Sequence, residues 1–321
     1  MAKGHSRTAG SRSSAAVVAM LVALAMPAAA QAATSSPTVS TGVARSVSYG
    51  SATLTGSVTP NGADASYYFQ YGLTKAYGGQ SAIADAGSGT KRVNVSLSVT
   101  GLQPLTVYHY RLVAVNSAGA SIGGDRTFLT TKVPLSLQIL AAPNPVIYLG
   151  AVTVQGTLSG TGNASRPVVL QANQFPFTTG FQNITEPHLT TATGGFSFPV
   201  LGVAATTQFR VVTTTKPAVL SPVAFENVAV RVESHVGHVR RRHFARFYGI
   251  VTPAVDGQQV AILRITHGRG VLVSGTVLRH RSATTSKFSR VVPVRRGVYR
   301  VLVRVINGAQ VSNYSQPLVI R

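Results

Sequence analysis

The chain of 321 residues contains no cysteine, no tryptophan and only seven acidic residues. Without cysteine it forms no disulfides, no thiolate metal sites and no cysteine nucleophile. Acid–base catalysis and calcium binding both draw on clustered carboxylates, and here no two lie within five positions of each other. The sequence therefore predicts carboxylates in surface loops, no catalytic residue, no metal and no cofactor. The seven are Asp64, Asp85, Asp125, Glu186, Glu226, Glu233 and Asp256.

The motifs that formally match catalytic or metal sites lack the context that such sites need. Residues 119–123 match the G-x-S-x-G pattern around Ser121, but a nucleophile elbow requires a following helix, and residues 124–128 predict a strand. His235, His238 and His243 have a spacing that suits a metal, yet the neighbouring arginines repel a divalent cation. The sequence therefore favours a serine in a turn over a catalytic serine, and a positively charged loop over a histidine metal site. We predict no enzymatic activity.

Long apolar runs are also missing. A basic segment with Lys3, Arg7 and Arg12 precedes an apolar run at 15–26 and an A-x-A site at 30–32, which predicts a signal peptide over residues 1–32. About 12 apolar residues are too few to span a bilayer core of roughly 30 Å. We expect a secreted, extracellular protein with no transmembrane anchor after cleavage; retention of this segment as an anchor is the alternative.

The sequence is rich in features of short strands. It has 31 glycines, 16 prolines and 45% hydrophobic residues, many of them Val and Ala in Thr-containing runs. In the stretch 101–119, apolar residues alternate, so that Tyr108, Tyr110, Leu112 and Ala114 share one face of a strand. We expect this face to be buried.

The same stretch resembles the end of a fibronectin type III domain, in the variant common in secreted bacterial proteins. The similarity extends to residues 52–62 and 67–72. It implies a "tyrosine corner", in which the Tyr108 hydroxyl bonds to backbone upstream. Because the usual core tryptophan is missing, Tyr67, Phe69 or Tyr71 must fill its place. The matching residues in the first stretch are Leu102, Pro104, Thr106, Tyr108, Ala114, Asn116 and Gly119.

A repeat near 95 residues organises the whole chain. Similar glycine-containing strands start at Gly56, Gly156 and Gly249, at intervals of 100 and 93 residues. This period matches one immunoglobulin-like sandwich, so we predict an all-β chain of three tandem immunoglobulin or fibronectin type III-like β-sandwiches after the signal peptide. Domain two resembles bacterial immunoglobulin-like or carboxypeptidase-regulatory-like domains. The predicted segments are a linker at 33–38, domain one at 39–131, domain two at 134–231 and the basic domain three at 232–321.

Charge gives the main functional signal. The formal net charge is +22, and residues 231–321 hold 16 Lys/Arg against two carboxylates, or +14, whereas domain two is nearly neutral. Such a domain attracts polyanions, although the alternative is that the arginines only keep the protein soluble. No helical reading element or aromatic stacking platform is evident, so we predict no sequence-specific nucleic-acid binding. The predicted contact residues are Arg240, Arg241, Arg242, Arg295 and Arg296.

These observations predict a non-catalytic cell-surface adhesion or spacer protein. Its basic domain three would contact an anionic cell-envelope polymer or polysaccharide. The alternative is a carbohydrate-binding or accessory module of an extracellular hydrolase system. Carbohydrate binding would use the exposed aromatic residues Phe175, Phe177 and Phe181, and hydrolysis would need a site assembled between domains.

Overall fold

The structure, a computed structural model, describes residues 34–321. This part of the chain consists of strands, turns and loops, and it contains no helix, so no described helix is long and apolar enough to cross a membrane. The signal peptide predicted at 1–32 lies outside the described residues. The described chain divides into two compact units, the first made of residues 34–47, 51–101 and 107–129, and the second running mainly from residue 130 to 321.

The first unit contains two antiparallel sheets. One has the order β1-β2-β6; in the other, β3 and β7 are central and the short strands β4, β5, β8 and β9 flank them. The strands are β1 Thr38–Thr41, β2 Ser51–Thr59, β3 Ala65–Gly72, β4 Gly79–Gln80, β5 Ala84–Gly87, β6 Val93–Thr100, β7 Val107–Asn116, β8 Gly119–Ile122 and β9 Arg126–Leu129.

The core of the first unit follows the alternation in the sequence. All four residues predicted on the inner face of β7, from Tyr108 to Ala114, are at most 7% exposed. The opposite face is mixed, since Val107 is 50% exposed while Val113 is buried. Phe69 is fully buried and its ring lies 6.5 Å from the Tyr110 ring, so it fills the core in a domain without tryptophan.

The second unit begins with domain two, which has its own pair of sheets and its own core. The sheet β10-β12-β16 packs over a sheet in which β13 and β17 are central, and Val154, Leu170 and Val211 are among the fully buried residues between them. The strands are β10 Ser136–Ala142, β11 Val146–Ile147, β12 Gly150–Ser159, β13 Pro167–Gln174, β14 Gln182–Asn183, β15 His188–Leu189, β16 Gly195–Val203, β17 Thr207–Thr213, β18 Ala224–Glu226 and β19 Val228–Ala229.

Domain three repeats this plan. The sheet β20-β21-β25-β24 faces the sheet β23-β22-β26-β27, to which β28 adds, and Phe247, Ile262 and Val301 are fully buried in the core. The fold prediction of an all-β chain of tandem sandwiches is confirmed. The strands are β20 Arg231–His238, β21 Phe244–Thr252, β22 Gln259–Thr266, β23 Arg269–Val277, β24 Arg279–Ser282, β25 Thr285–Pro293, β26 Gly297–Arg304, β27 Asn313–Tyr314 and β28 Leu318–Ile320.

The three repeat glycines occupy equivalent places. Each lies in a strand with a hydrogen-bonded neighbour on both sides, namely β2, β12 and β21. Gly156 is opposite Phe196, and Gly249 is opposite Phe288, and in both pairs the ring occupies the space where a Cβ would be. At Gly156 and Gly249 the glycine therefore lets an aromatic ring lie against a central strand, whereas at Gly56 the Leu112 side chain takes that place.

The connection between domains two and three begins with a short parallel strand pair. Val228 and Ala229 pair in parallel with Val146 and Ile147, and Arg231 already begins β20. The loop 307–311 of domain three returns to this region. Its backbone bonds join Thr206 N to Ala309 O at 2.7 Å and Val311 N to Val228 O at 2.7 Å.

Candidate functional site

The structure brings the two predicted arginine clusters to one end of domain three. Arg240, Arg241 and Arg242 lie in the loop between β20 and β21, and Arg295 and Arg296 lie in the loop between β25 and β26. The two loops meet because Phe244 pairs with Pro293, and because the Val294 amide donates to the His243 carbonyl at 2.7 Å. All five arginines are exposed. We call this end of domain three the tip, and the end where β20 enters from domain two the base.

Two further basic positions reach the tip without having been predicted. The strand β22 ends there, since Ile265 is opposite Val298 near the start of β26, and it places Arg264 one residue earlier. Arg269 begins β23 after the tight turn that follows β22. Nothing in the local sequence marks either residue, because their proximity to residues 295 and 296 arises from strand pairing alone.

The two carboxylates of domain three are separated from the tip. Asp256 lies at the base, where its carboxylate bonds to the Ser286 hydroxyl and to His280 Nδ1 at 3.0 Å. Glu233 lies in the base half of β20, opposite Ile250. Among residues 34–321, the ion pairs involve Asp125 or Asp256, and none includes an arginine. The positive charge at the tip is therefore not neutralised by carboxylates within the described chain.

A cleft of about 510 Å³ opens at the tip. Arg264, Arg295 and His243 contribute its basic groups, while the ring of Tyr299 and the aliphatic side chain of Leu272 contribute apolar surface. The cleft thus combines cationic donors with an apolar wall, which is the composition of many small-ligand sites.

Hydrogen bonds fix the wall of this cleft. The buried Tyr299 hydroxyl donates to the Arg295 carbonyl and accepts from the Arg295 amide, both at 3.0 Å. The Arg241 guanidinium stacks on the Phe244 ring at 3.9 Å, and Phe244 also lines the cleft. Two of the predicted contact residues are therefore held at the cleft by aromatic side chains.

The arginines of domain two are placed differently. The Arg166 guanidinium donates to the Gly162 carbonyl at 2.6 Å and to the Thr215 hydroxyl at 3.2 Å. Arg210 donates to Gln171 at 2.6 Å and stacks on Phe181 at 4.0 Å. These two cations are engaged in contacts within their own domain.

The catalytic motifs are not assembled. Ser121 lies in strand β8, not in the predicted turn, and is opposite Ala114. His109 is five residues from Ala114 along β7, or about 16 Å at 3.3 Å per residue, and its Nδ1 contacts Asp125 at 2.8 Å. Burial opposes ionisation of this carboxylate, but hydrogen bonds to His109 and Tyr77 hold the pKa of Asp125 below its ordinary value. Among the described residues 34–321, no serine–histidine hydrogen bond accompanies this pair.

The predicted histidine cluster does not form a metal site in the described part of the chain, where no group of three potential ligands converges. The His235 ring lies 5.6 Å from the Tyr248 ring, and His238 is opposite Ala245.

The aromatic residues considered for carbohydrate binding already contact other side chains. The Phe177 ring lies 5.6 Å from Phe175 and 6.1 Å from Phe225.

The prediction of surface-loop carboxylates is wrong for Glu226. Its side chain is 0% exposed, at the end of β18 and opposite Thr207. The Val146 amide donates to its Oε1 at 3.1 Å, while its Oε2 is buried without a partner. Burial raises the pKa of the Glu226 carboxyl to about 7, because the single backbone bond offsets only part of the lost hydration. A lone glutamate between Phe225 and Asn227 carries no pattern that reveals this burial.

Comparisons with known proteins found no matching family model and no similar curated protein. Among solved structures, the fibronectin domains of chicken contactin are 15% identical and cover 88% of this chain and 96% of their own, with a TM-score of 0.32. A segment of titin is 14% identical over 89% of this chain and 99% of its own, with a TM-score of 0.34. A tandem repeat from the extending region of a large adhesion protein is 17% identical over 87% and 72%, with a TM-score of 0.28. At this level the similarities carry no argument about function.

Proposed function

We propose that this chain is a non-catalytic, secreted adhesion or spacer protein whose domain three contacts anionic polymers of the cell envelope. Domains one and two would act as spacers that precede the basic domain three in the chain. Secretion rests on the signal peptide predicted at residues 1–32. The binding role rests on one observation, which is the meeting of two arginine clusters at the tip without a neighbouring carboxylate.

The physical basis of the proposed contact is electrostatic. Several exposed guanidinium groups on adjoining loops raise the local concentration of a polyanion and release its condensed counterions on binding. Arginine suits this role because its planar fork bonds phosphate and carboxylate oxygens in pairs. Since the charges are exposed, salt screens them, and the Debye length falls to about 3 Å at 1 M.

The test uses the full chain on a heparin column and on purified envelope polymer. Wild-type protein should be retained at low salt and released by roughly 0.5 M NaCl, because exposed charge contacts are screened there. Arg295→Gln combined with Arg296→Gln should elute at clearly lower salt. Retention that salt does not weaken would contradict an electrostatic contact.

A matched control separates the tip from net charge. Arg279→Gln with Arg281→Gln also removes two exposed charges, but these residues belong to β24, at the base. The base and tip are about 23 Å apart, because Val251 and Phe244, which mark them on β21, are separated by seven residues. This spacing exceeds the Debye length of about 8 Å in physiological salt. Equal effects of the two double variants would show that total charge alone governs retention.

A further inference from the structure

The tip cleft contains a guanidinium that its own surroundings do not satisfy. The Arg264 Nη2 donates to the Arg296 carbonyl at 3.1 Å, and its Nε is buried with no acceptor. Gly297 has a φ of 146°, and a Cβ there would lie 3.3 Å from this Nε, so the glycine lets the guanidinium lie against the backbone. Buried donors are nearly always bonded, so this enclosed Nε is unusual, and the outer nitrogens of the same guanidinium are the donors that Arg264 offers to a ligand in the cleft.

The backbone of Arg295, the second arginine of the cleft, is held in place by Tyr299. Two bonds join the Tyr299 hydroxyl to the Arg295 amide and carbonyl, and they fix the point from which the Arg295 side chain extends. Both guanidinium groups border one cleft with His243, and no carboxylate pairs with them. A ligand with several acceptor oxygens and more than one negative charge would satisfy both cations. Phosphate has these properties, whereas a carboxylate has two oxygens and a single charge.

The size and the apolar wall of the cleft indicate more than an inorganic ion. Its volume of about 510 Å³ lies within the range of sites that hold small organic molecules. Leu272 is 65% exposed at the wall, on the edge strand β23. Such a side chain offers contact to the carbon skeleton that bears the phosphate.

We propose that the tip cleft binds a phosphate ester, with Arg264 and Arg295 on the phosphate oxygens and Leu272 against the attached carbon skeleton. This inference deepens the proposed function, since it assigns the chemical class of the anion that the tip recognises. The cleft contributes selectivity for one phosphate group, while the exposed Arg240, Arg241 and Arg242 contribute the broader attraction to a charged surface.

The test is isothermal titration calorimetry of the full chain with small monomeric probes in phosphate-free buffer at 0.15 M NaCl. Hexyl phosphate should bind at least about tenfold more tightly than inorganic phosphate, because the alkyl chain adds apolar contact. Its affinity should also exceed that of heptanoate, which carries the same hexyl chain on a carboxylate. Equal binding of hexyl phosphate and heptanoate would overturn the assignment of phosphate.

Variants locate the binding in the cleft. Arg264→Gln should weaken hexyl phosphate binding by about ten- to a hundredfold, the size expected for a lost charge-assisted hydrogen bond. Leu272→Ser, at an exposed position that does not threaten folding, should weaken hexyl phosphate but leave inorganic phosphate unchanged. Arg279→Gln with Arg281→Gln should bind as wild type does. Unchanged binding by both cleft variants would refute the site.

Competition distinguishes the possible sources of the phosphate. Displacement of hexyl phosphate by phosphatidic acid vesicles, whose headgroup is also a phosphate monoester, would indicate a lipid headgroup, and displacement by soluble polyphosphate would indicate a polymer. Displacement by neither would contradict a role for the cleft at the envelope. The result with small molecules is independent of retention on polymer. If the chain is retained on polymer but does not bind hexyl phosphate, only this inference is refuted. If the chain binds hexyl phosphate but is not retained on polymer, only the proposed function is refuted.

Discussion

Replacing Glu226 by glutamine should abolish a pH-dependent loss of stability in the second unit. The carboxyl is fully buried, with one backbone donor on Oε1 and no partner on Oε2. The adjoining strands β10, β11 and β19 carry no ionisable residue, and on β17 Arg210 is bonded to Gln171 and stacked on Phe181. No neighbouring cation on these strands therefore compensates the ionised form.

The sign and size follow from the two pKa values. Burial raises the pKa from 4.5 to about 7, so the folded chain binds this proton more tightly than the unfolded chain does. The stability that this tighter proton binding contributes is fully present below pH 4.5, declines as the pH rises toward 7, and is absent above that value. A difference of 2.5 in pKa corresponds to about 3 kcal/mol. Glutamine does not titrate, so its variant should show none of this decline.

The assay is urea unfolding of the full chain at pH 4.5, 6, 7 and 8, followed by hydrogen–deuterium exchange of peptides from domain two. With a urea dependence of about 2 kcal/mol per M, the midpoint of the wild type should fall by roughly 1.5 M relative to Glu226→Gln between pH 4.5 and 8. Peptides from domain one serve as the control in the same sample. A difference between wild type and variant that stays constant over this range would refute the reasoning.

Two substitutions test the framework of the sandwiches. Gly249→Ala should destabilise the second unit by about 1 to 3 kcal/mol in thermal unfolding, because the new methyl group would clash with the Glu233 carbonyl oxygen. The control is Gly124→Ala, because no atom lies within 4 Å of the position of its new methyl group. Tyr108→Phe should destabilise domain one by about 1 to 3 kcal/mol if its hydroxyl satisfies buried backbone, as the Tyr299 hydroxyl does in domain three. A change within measurement error would rule out the corner at Tyr108.

The strand pattern and the repeat were predictable from the sequence because they depend on local rules. Alternation over β7 places every second residue in the core, and the structure buries Tyr110 and Leu112 as expected; β26 buries Tyr299 and Val301 by the same rule. The glycine repeat was also readable, since a Cβ-free position recurs once per sandwich at Gly56 and its two counterparts.

The remaining features depend on which distant segments meet, and no local pattern encodes that. Arg264 reaches the tip through its pairing opposite Tyr299. Glu226 is buried because β10 and β17 pack around the end of β18, although its sequence neighbours resemble a loop. In domain three the hydroxyl that bonds to backbone belongs to Tyr299, and no local sequence pattern indicates its bonds to Arg295.

The loop 307–311 also has a consequence for mechanical load. Domains two and three are joined by the chain itself near Val230 and again by this loop, whose bonds include Gln310 Nε2 to the Ala204 carbonyl at 3.1 Å. A pulling force applied at a captured ligand would have to break these hydrogen bonds before the two sandwiches could separate. The pair should therefore resist tension more than two sandwiches joined by a single linker would.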